Sequence, residues 1–100
     1  MTAKGYIVFA ETIHDQSTYD EYIAGVMPTI EAAGGRLLSV EDEATVLEGE
    51  LPGERIVILE FDSVDAARAW FDSPGYQAIV GKRHASAEST AYIVSGFVPA

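Results

Sequence analysis

The sequence contains no cysteine. That absence removes disulfides, thiolate nucleophiles and thiolate metal sites together. Small secreted domains often depend on such staples, so the expected location is the cytoplasm. Basic residues are also scarce: six lysines and arginines stand against 16 acids, for a formal charge of −10. A phosphate backbone or an anionic membrane surface would be repelled by that balance, which argues against nucleic acid and membrane partners. The acids are spread along the chain, with one local cluster from Glu41 to Glu54. They read as a solubilising surface. No apolar run approaches the length of a bilayer span. Met1 to Gly5 leads directly into a strand-like run, without the pattern expected of a signal peptide.

What is present suits one globular domain over residues 1–100, with 48% hydrophobic and 22% charged residues. A chain of this size buries roughly 60–70% of its unfolded surface, enough for a single core. Tyr6 to Ala10 is short, β-branched and aromatic, and reads as a strand. Asp15 or Ser17 offers a helix N-cap, and Tyr19, Tyr22, Ile23, Val26, Met27, Ile30 and Ala33 fall on one helical stripe. Pro28 is expected to kink or split that helix, and Gly34-Gly35 to end it. Arg36 to Val40 reads as a second strand that resumes at Thr45–Leu47, followed by a turn at Leu51–Glu54. Arg55 to Phe61 is the clearest strand. Ser63 caps a second helix, Ser73-Pro74 opens a short third one to about Lys82, and Ala91 to Val98 is the last strand.

The order β-α-β-β-α-β predicts the ferredoxin-like α+β plan: a four-stranded antiparallel sheet with strands one and three central and the helices on one face. Side chains alternate across a strand. Tyr6, Val8 and Ala10 therefore oppose Ile7 and Phe9, and Val57, Leu59 and Phe61 oppose Ile56 and Ile58. Both faces are apolar, and the helices can cover only one of them. No spare loop is long enough to cover the other, so the sequence predicts a homodimer packed through the open sheet face. Phe9→Asp would test whether strand one meets the partner through Phe9.

The chemistry is less defined. His14 and His84 are isolated from other ligands, so no metal is expected. No cofactor-binding glycine loop and no serine elbow are present. The candidates for proton transfer are Glu60 and His14. Glu60 interrupts an apolar strand on the face of Ile56 and Ile58; desolvation there would raise its pKa and suit it as a base. The simpler alternative is an ion pair with an arginine such as Arg36 or Arg83. His14 follows the first strand, where it could serve acid–base work or stand exposed in a loop. Tyr22, Trp70 and Tyr76 are the aromatics placed nearest a cleft, and Arg36 and Arg83 complete the candidate ligand-binding set.

Gly34-Gly35-Arg36, Val46-Leu47-Glu48-Gly49, Glu60-Phe61-Asp62-Ser63, the run Ala67 to Gln77 and Arg83 together resemble the DUF1330 family of uncharacterised bacterial proteins. The stretch Trp70 to Gln77 is the most specific part. The resemblance implies the dimeric α+β barrel superfamily, in which two ferredoxin-like subunits pack their sheets together. Wider relatives include cofactor-free monooxygenases, haem proteins similar to chlorite dismutase, and small isomerases or lyases. Their ligands lie between sheet and helices or near the barrel end. One departure stands out: many members read like LVRGG where this chain has Leu38-Ser39-Val40-Glu41-Asp42, so Val40 replaces a basic residue. Three functions fit: a cofactor-independent enzyme acting on a small organic molecule, a non-catalytic small-molecule-binding or accessory dimer, or a structural dimer.

Overall fold

β-Branched and aromatic residues favour extended backbone, and they carry a strand from Gly5 to Ile13 (β1) in the computed structural model, which describes residues 2–99. Helix α1, Gln16–Ala32, starts at Asp15, whose carboxylate accepts the Thr18 backbone N–H at 3.2 Å. It runs unbroken through Pro28, so the expected split does not occur; Pro28 lies on the exposed side, away from the buried residues Tyr19, Tyr22, Val26 and Ile30. Its end is a Schellman arrangement: Gly34 takes φ +72°, Gly34 N donates to Glu31 O at 3.0 Å, and Gly35 N donates to Ile30 O at 2.9 Å.

Strand β2, Arg36–Glu41, carries an irregularity between Leu37 and Ser39. No strand resumes at Thr45–Leu47; residues 42–54 form an irregular arm. Acids and turn residues dominate that segment, and Leu47 is 90% exposed, so no apolar face holds it on a sheet edge. Strand β3 is Arg55–Phe61, as expected. Helix α2, Val64–Asp72, is capped by Ser63. Ser73 then turns extended, as a residue before proline must, and its Oγ accepts from Tyr76 N at 3.2 Å to start α3, Pro74–Gln77. The expected single third helix is two pieces, with α4 spanning Val80–Ser86. Strand β4 is Ala87–Ser95, displaced from the expected Ala91–Val98. The far end of β1 sets this register, because Glu11, Thr12 and Ile13 pair with Ser89, Glu88 and Ala87.

The sheet order is β2-β3-β1-β4, all antiparallel, with β1 and β3 central. This is the ferredoxin-like α+β plan. Ile7, Phe9, Leu59 and Phe61 are buried under the helices with Tyr19, Tyr22, Trp70 and Tyr76. Phe9 therefore belongs to the core and not to the bare face. The bare face carries Tyr6, Val8, Ile56, Ile58, Tyr92 and Val94 in neighbouring cross-strand rows. Tyr92 and Val94 are 52% and 43% exposed.

Candidate functional site

The register that builds the core also builds a polar row at one end of it. Arg55 on β3, Glu11 on β1 and Ser89 on β4 are direct cross-strand neighbours, in the same side-chain parity as Phe9 and Val57. They lie on the helix-covered face, where α1, α3 and α4 supply Tyr19, Tyr22, Tyr76 and Arg83.

Glu11 is the centre of this group. Its side chain is fully buried, and the Tyr19 hydroxyl donates to Oε1 at 2.8 Å. Among the described residues, Glu11 Oε2 is the buried side-chain polar atom that finds no partner. A group of this kind ordinarily costs on the order of 1–3 kcal/mol. Burial raises the Glu11 pKa; the Tyr19 hydrogen bond and the charges of Arg83 and Arg55 oppose that rise without cancelling it. Burial and the Glu11 carboxylate likewise push the Tyr19 hydroxyl up.

Beside Glu11 runs a hydrogen-bonded chain. Arg83 Nε donates to the Tyr76 hydroxyl at 3.2 Å, and the Tyr76 and Tyr22 hydroxyls share a bond of 2.9 Å. Arg83 is held by a bond to Ser89 Oγ and by the face of Phe9, 5.2 Å from the guanidinium carbon. Burial raises the Tyr22 pKa strongly, so its hydroxyl stays protonated. Trp70 stacks on Tyr76 with ring centroids 4.2 Å apart, and its indole N–H donates to Thr29 Oγ1. A cavity of about 50 Å³ lies in this layer, lined by Glu11, Tyr19, Tyr22, Arg55 and Trp70 among others.

Four of the seven residues expected at the site converge here: Tyr22, Trp70, Tyr76 and Arg83. The other three do not. Glu60 and Arg36 lie across the sheet, on the bare face, joined by an ion pair of 2.6 Å. Arg36, and after it Tyr6, holds the Glu60 carboxyl below the usual range. This is the opposite of the raised value expected for a desolvated base. His14 is exposed at the β1–α1 junction. Glu11 lies beyond the strand expected at Tyr6–Ala10 and so outside the residues the sequence singles out, because β1 extends to Ile13. The available signal was parity: Glu11 continues the series Ile7, Phe9 into the core. Among the described residues no cluster of three acidic or histidine side chains could hold a metal ion.

The model of the family described as "Domain of unknown function (DUF1330)" matches residues 4–97. The chain belongs to the DUF1330 family. None of the curated proteins matches it significantly. The DUF1330 chain is similar in fold to RPA0582, a protein of unknown function from Rhodopseudomonas palustris: 18% identity, 99% of this chain and 86% of that one, TM-score 0.79. It is also similar to SnoaB, a cofactor-independent oxygenase from Streptomyces nogalater, at 15% identity over 98% of this chain and 97% of that one, TM-score 0.66. A dimeric ferredoxin-like protein of unknown function from Thermobifida fusca shares 14% identity over 95% and 92% of the two chains, TM-score 0.63. At these identities the likeness establishes the fold of this DUF1330 protein, not its chemistry.

Proposed function

We propose that this protein is a cytoplasmic homodimer that binds a small organic molecule between sheet and helices and moves a proton on it through Glu11, without metal or cofactor. The observation that carries the reading is the unpartnered Glu11 Oε2, buried at a cavity and flanked by tyrosine hydroxyls. Perturbed carboxyls in enclosed sites are suited to acid–base work near neutral pH. The carboxylate would take a proton from an acidic C–H or O–H of the ligand, and the electron pair left behind would move onto a ligand oxygen. A hydroxyl of the Tyr22–Tyr76 pair, polarised by Arg83, is placed to stabilise such an oxygen. Glu11 then returns the proton. That one structural neighbour is a cofactor-independent oxygenase supports cofactor-free chemistry on this scaffold.

The dimer rests on the bare sheet face. Tyr6, Val8, Ile58, Tyr92 and Val94 form a continuous apolar patch of a kind rarely left to water. A second copy packed sheet to sheet covers it on both molecules at once, and a structural neighbour of this fold is dimeric.

The smallness of the interior cavity favours a second reading, a non-catalytic binding dimer. Incubation with small ketones and phenols in deuterated water separates the two. Deuterium uptake at acidic carbon positions, abolished in Glu11→Gln, is the result expected of proton transfer. Ligand binding with no uptake above solvent background would leave only the binding role.

A further inference from the structure

The interior cavity, about 50 Å³, is too small for a substrate, whereas small-molecule sites begin near roughly 300 Å³. A second hollow of about 250 Å³ lies outside it, at the sheet end beside the arm, lined by Ile13, Gln16, Asp42 and Glu54. Glu11 and Arg55 line both spaces. They are therefore the wall between them, and joined, the two spaces reach the volume of a small-molecule site.

The two halves of that wall are held differently. Glu11 is fully buried and tied to Tyr19. The Arg55 side chain is part exposed, and its guanidinium lies across the Tyr19 ring at 5.4 Å. It is fastened from outside by two bonds to Asp42, Nε to Oδ1 at 2.6 Å and Nη2 to Oδ2 at 3.0 Å. Asp42 is itself exposed, at the start of the irregular arm. Moving Arg55 out of the wall requires breaking the pair with exposed Asp42 and lifting the guanidinium off the Tyr19 ring, while the α1 backbone and the Glu11–Tyr19 bond stay in place. The Asp42 side of that pair is 59% exposed, so solvent screens the latch and can replace it.

We propose that Arg55 is a movable partition, latched by Asp42, and that its displacement joins the outer hollow to the Glu11 cavity to admit an uncharged aromatic molecule. This rests on the Glu11 site proposed above. The aromatic preference follows from Phe9, Tyr19, Tyr22 and Trp70, which line the inner space. The charge preference follows from the outer one. Asp42, Glu54 and Glu11 face a single arginine that Asp42 already neutralises, so a carboxylate ligand is repelled at the entrance.

Phenol and benzoate serve as probes, with benzamide as the uncharged compound that matches benzoate in size. Their binding is read from the NMR resonances of the Glu11 and Tyr19 side chains in the full chain. Phenol is expected to shift both resonances. Its affinity should rise at least threefold in Arg55→Ala and in Asp42→Asn. Benzoate should bind at least tenfold more weakly than benzamide. Asp42→Asn changes only an exposed side chain, so the test survives if Arg55→Ala folds poorly. Equal phenol affinity in the native chain and in Asp42→Asn would overturn the partition and leave the Glu11 site standing. Benzoate binding as tightly as benzamide would overturn the charge preference. Phenol shifting neither resonance in any of the three chains would overturn the partition and the Glu11 site together.

Discussion

The hydroxyls of Tyr22 and Tyr76 lie 2.9 Å apart in the interior, brought together from α1 and α3, and Arg83 bonds to only one of them, Tyr76. The two tyrosines are therefore not equivalent. Tyr22→Phe leaves Tyr76 with Arg83 as a partner and should cost about 1 kcal/mol. Tyr76→Phe deprives both Tyr22 and a buried guanidinium and should cost about 2–3 kcal/mol. Urea denaturation of the two single variants and the double variant checks this. The double should lose less than the sum, because the shared bond is removed once.

Glu11 should make stability fall as pH rises. Its native pKa lies above the ordinary 4.5. The folded state therefore holds the proton more tightly than the unfolded chain does. The contribution is complete below about pH 4.5 and is lost as the pH climbs through the raised native value. Glu11→Gln carries no such charge. Its stability relative to the native chain should improve as the pH rises above about 4.5 and level off once the raised native value is passed, in thermal melts at fixed ionic strength. A difference that stays flat across the range would mean the carboxyl is not perturbed.

Glu60 should behave in the reverse sense. Arg36 holds its pKa below 4.5, so the stabilisation is present above that pH and fades as the pH falls through the lowered native value. Glu60→Gln should therefore be slightly less stable than the native chain at neutral pH and converge with it in acid. The Arg36 side chain is 44% exposed, so the loss should be small and should shrink further in high salt.

Neighbouring residues on β1 should give opposite outcomes. Val8 stands on the bare face, and Phe9, at 3% exposure, is in the core. Val8→Asp should remain folded and sediment as a monomer. Phe9→Asp should fail to fold, since even truncation of a buried phenylalanine costs about 3–5 kcal/mol. Sedimentation velocity and circular dichroism on both variants distinguish the two faces. A Val8→Asp protein that stays dimeric would place the interface elsewhere.

The strands of the centre were legible because Tyr6–Ala10 and Arg55–Phe61 have no competing periodicity, and the α1 and α2 starts because Asp15 and Ser63 have side-chain oxygens to cap them. The edges were not. Ala87–Thr90 contains little that favours a strand; β1 recruits it through pairing. The break between α3 and α4 at Ala78-Ile79 has no glycine or proline to announce it. At the candidate site, Tyr22, Trp70 and Tyr76 stand out by residue type, whereas Glu11 shows only in the strand parity it shares with Ile7 and Phe9. Glu11 is ordinary by composition and becomes unusual only when the register sets it beneath α1, beside Arg55 and Ser89. Glu60 looked more promising because it interrupts an apolar run, yet the face it shares is the one the helices leave bare.

The arm returns to the sheet at Gly53, where a Cβ would come within 2.7 Å of the Glu11 backbone nitrogen, and Glu54 N then donates to Glu11 O at 2.9 Å. The tip is different: Gly49 has open space around it, and Leu47 projects outward. Chain length can therefore drift at the tip with little penalty, while the anchorage at Gly53 does not tolerate even a methyl group. A lineage that lengthens or shortens this loop can rework what passes over Asp42 while leaving the sheet around Glu11 untouched. The outer hollow and the fold are thereby free to evolve at separate rates within one short polypeptide.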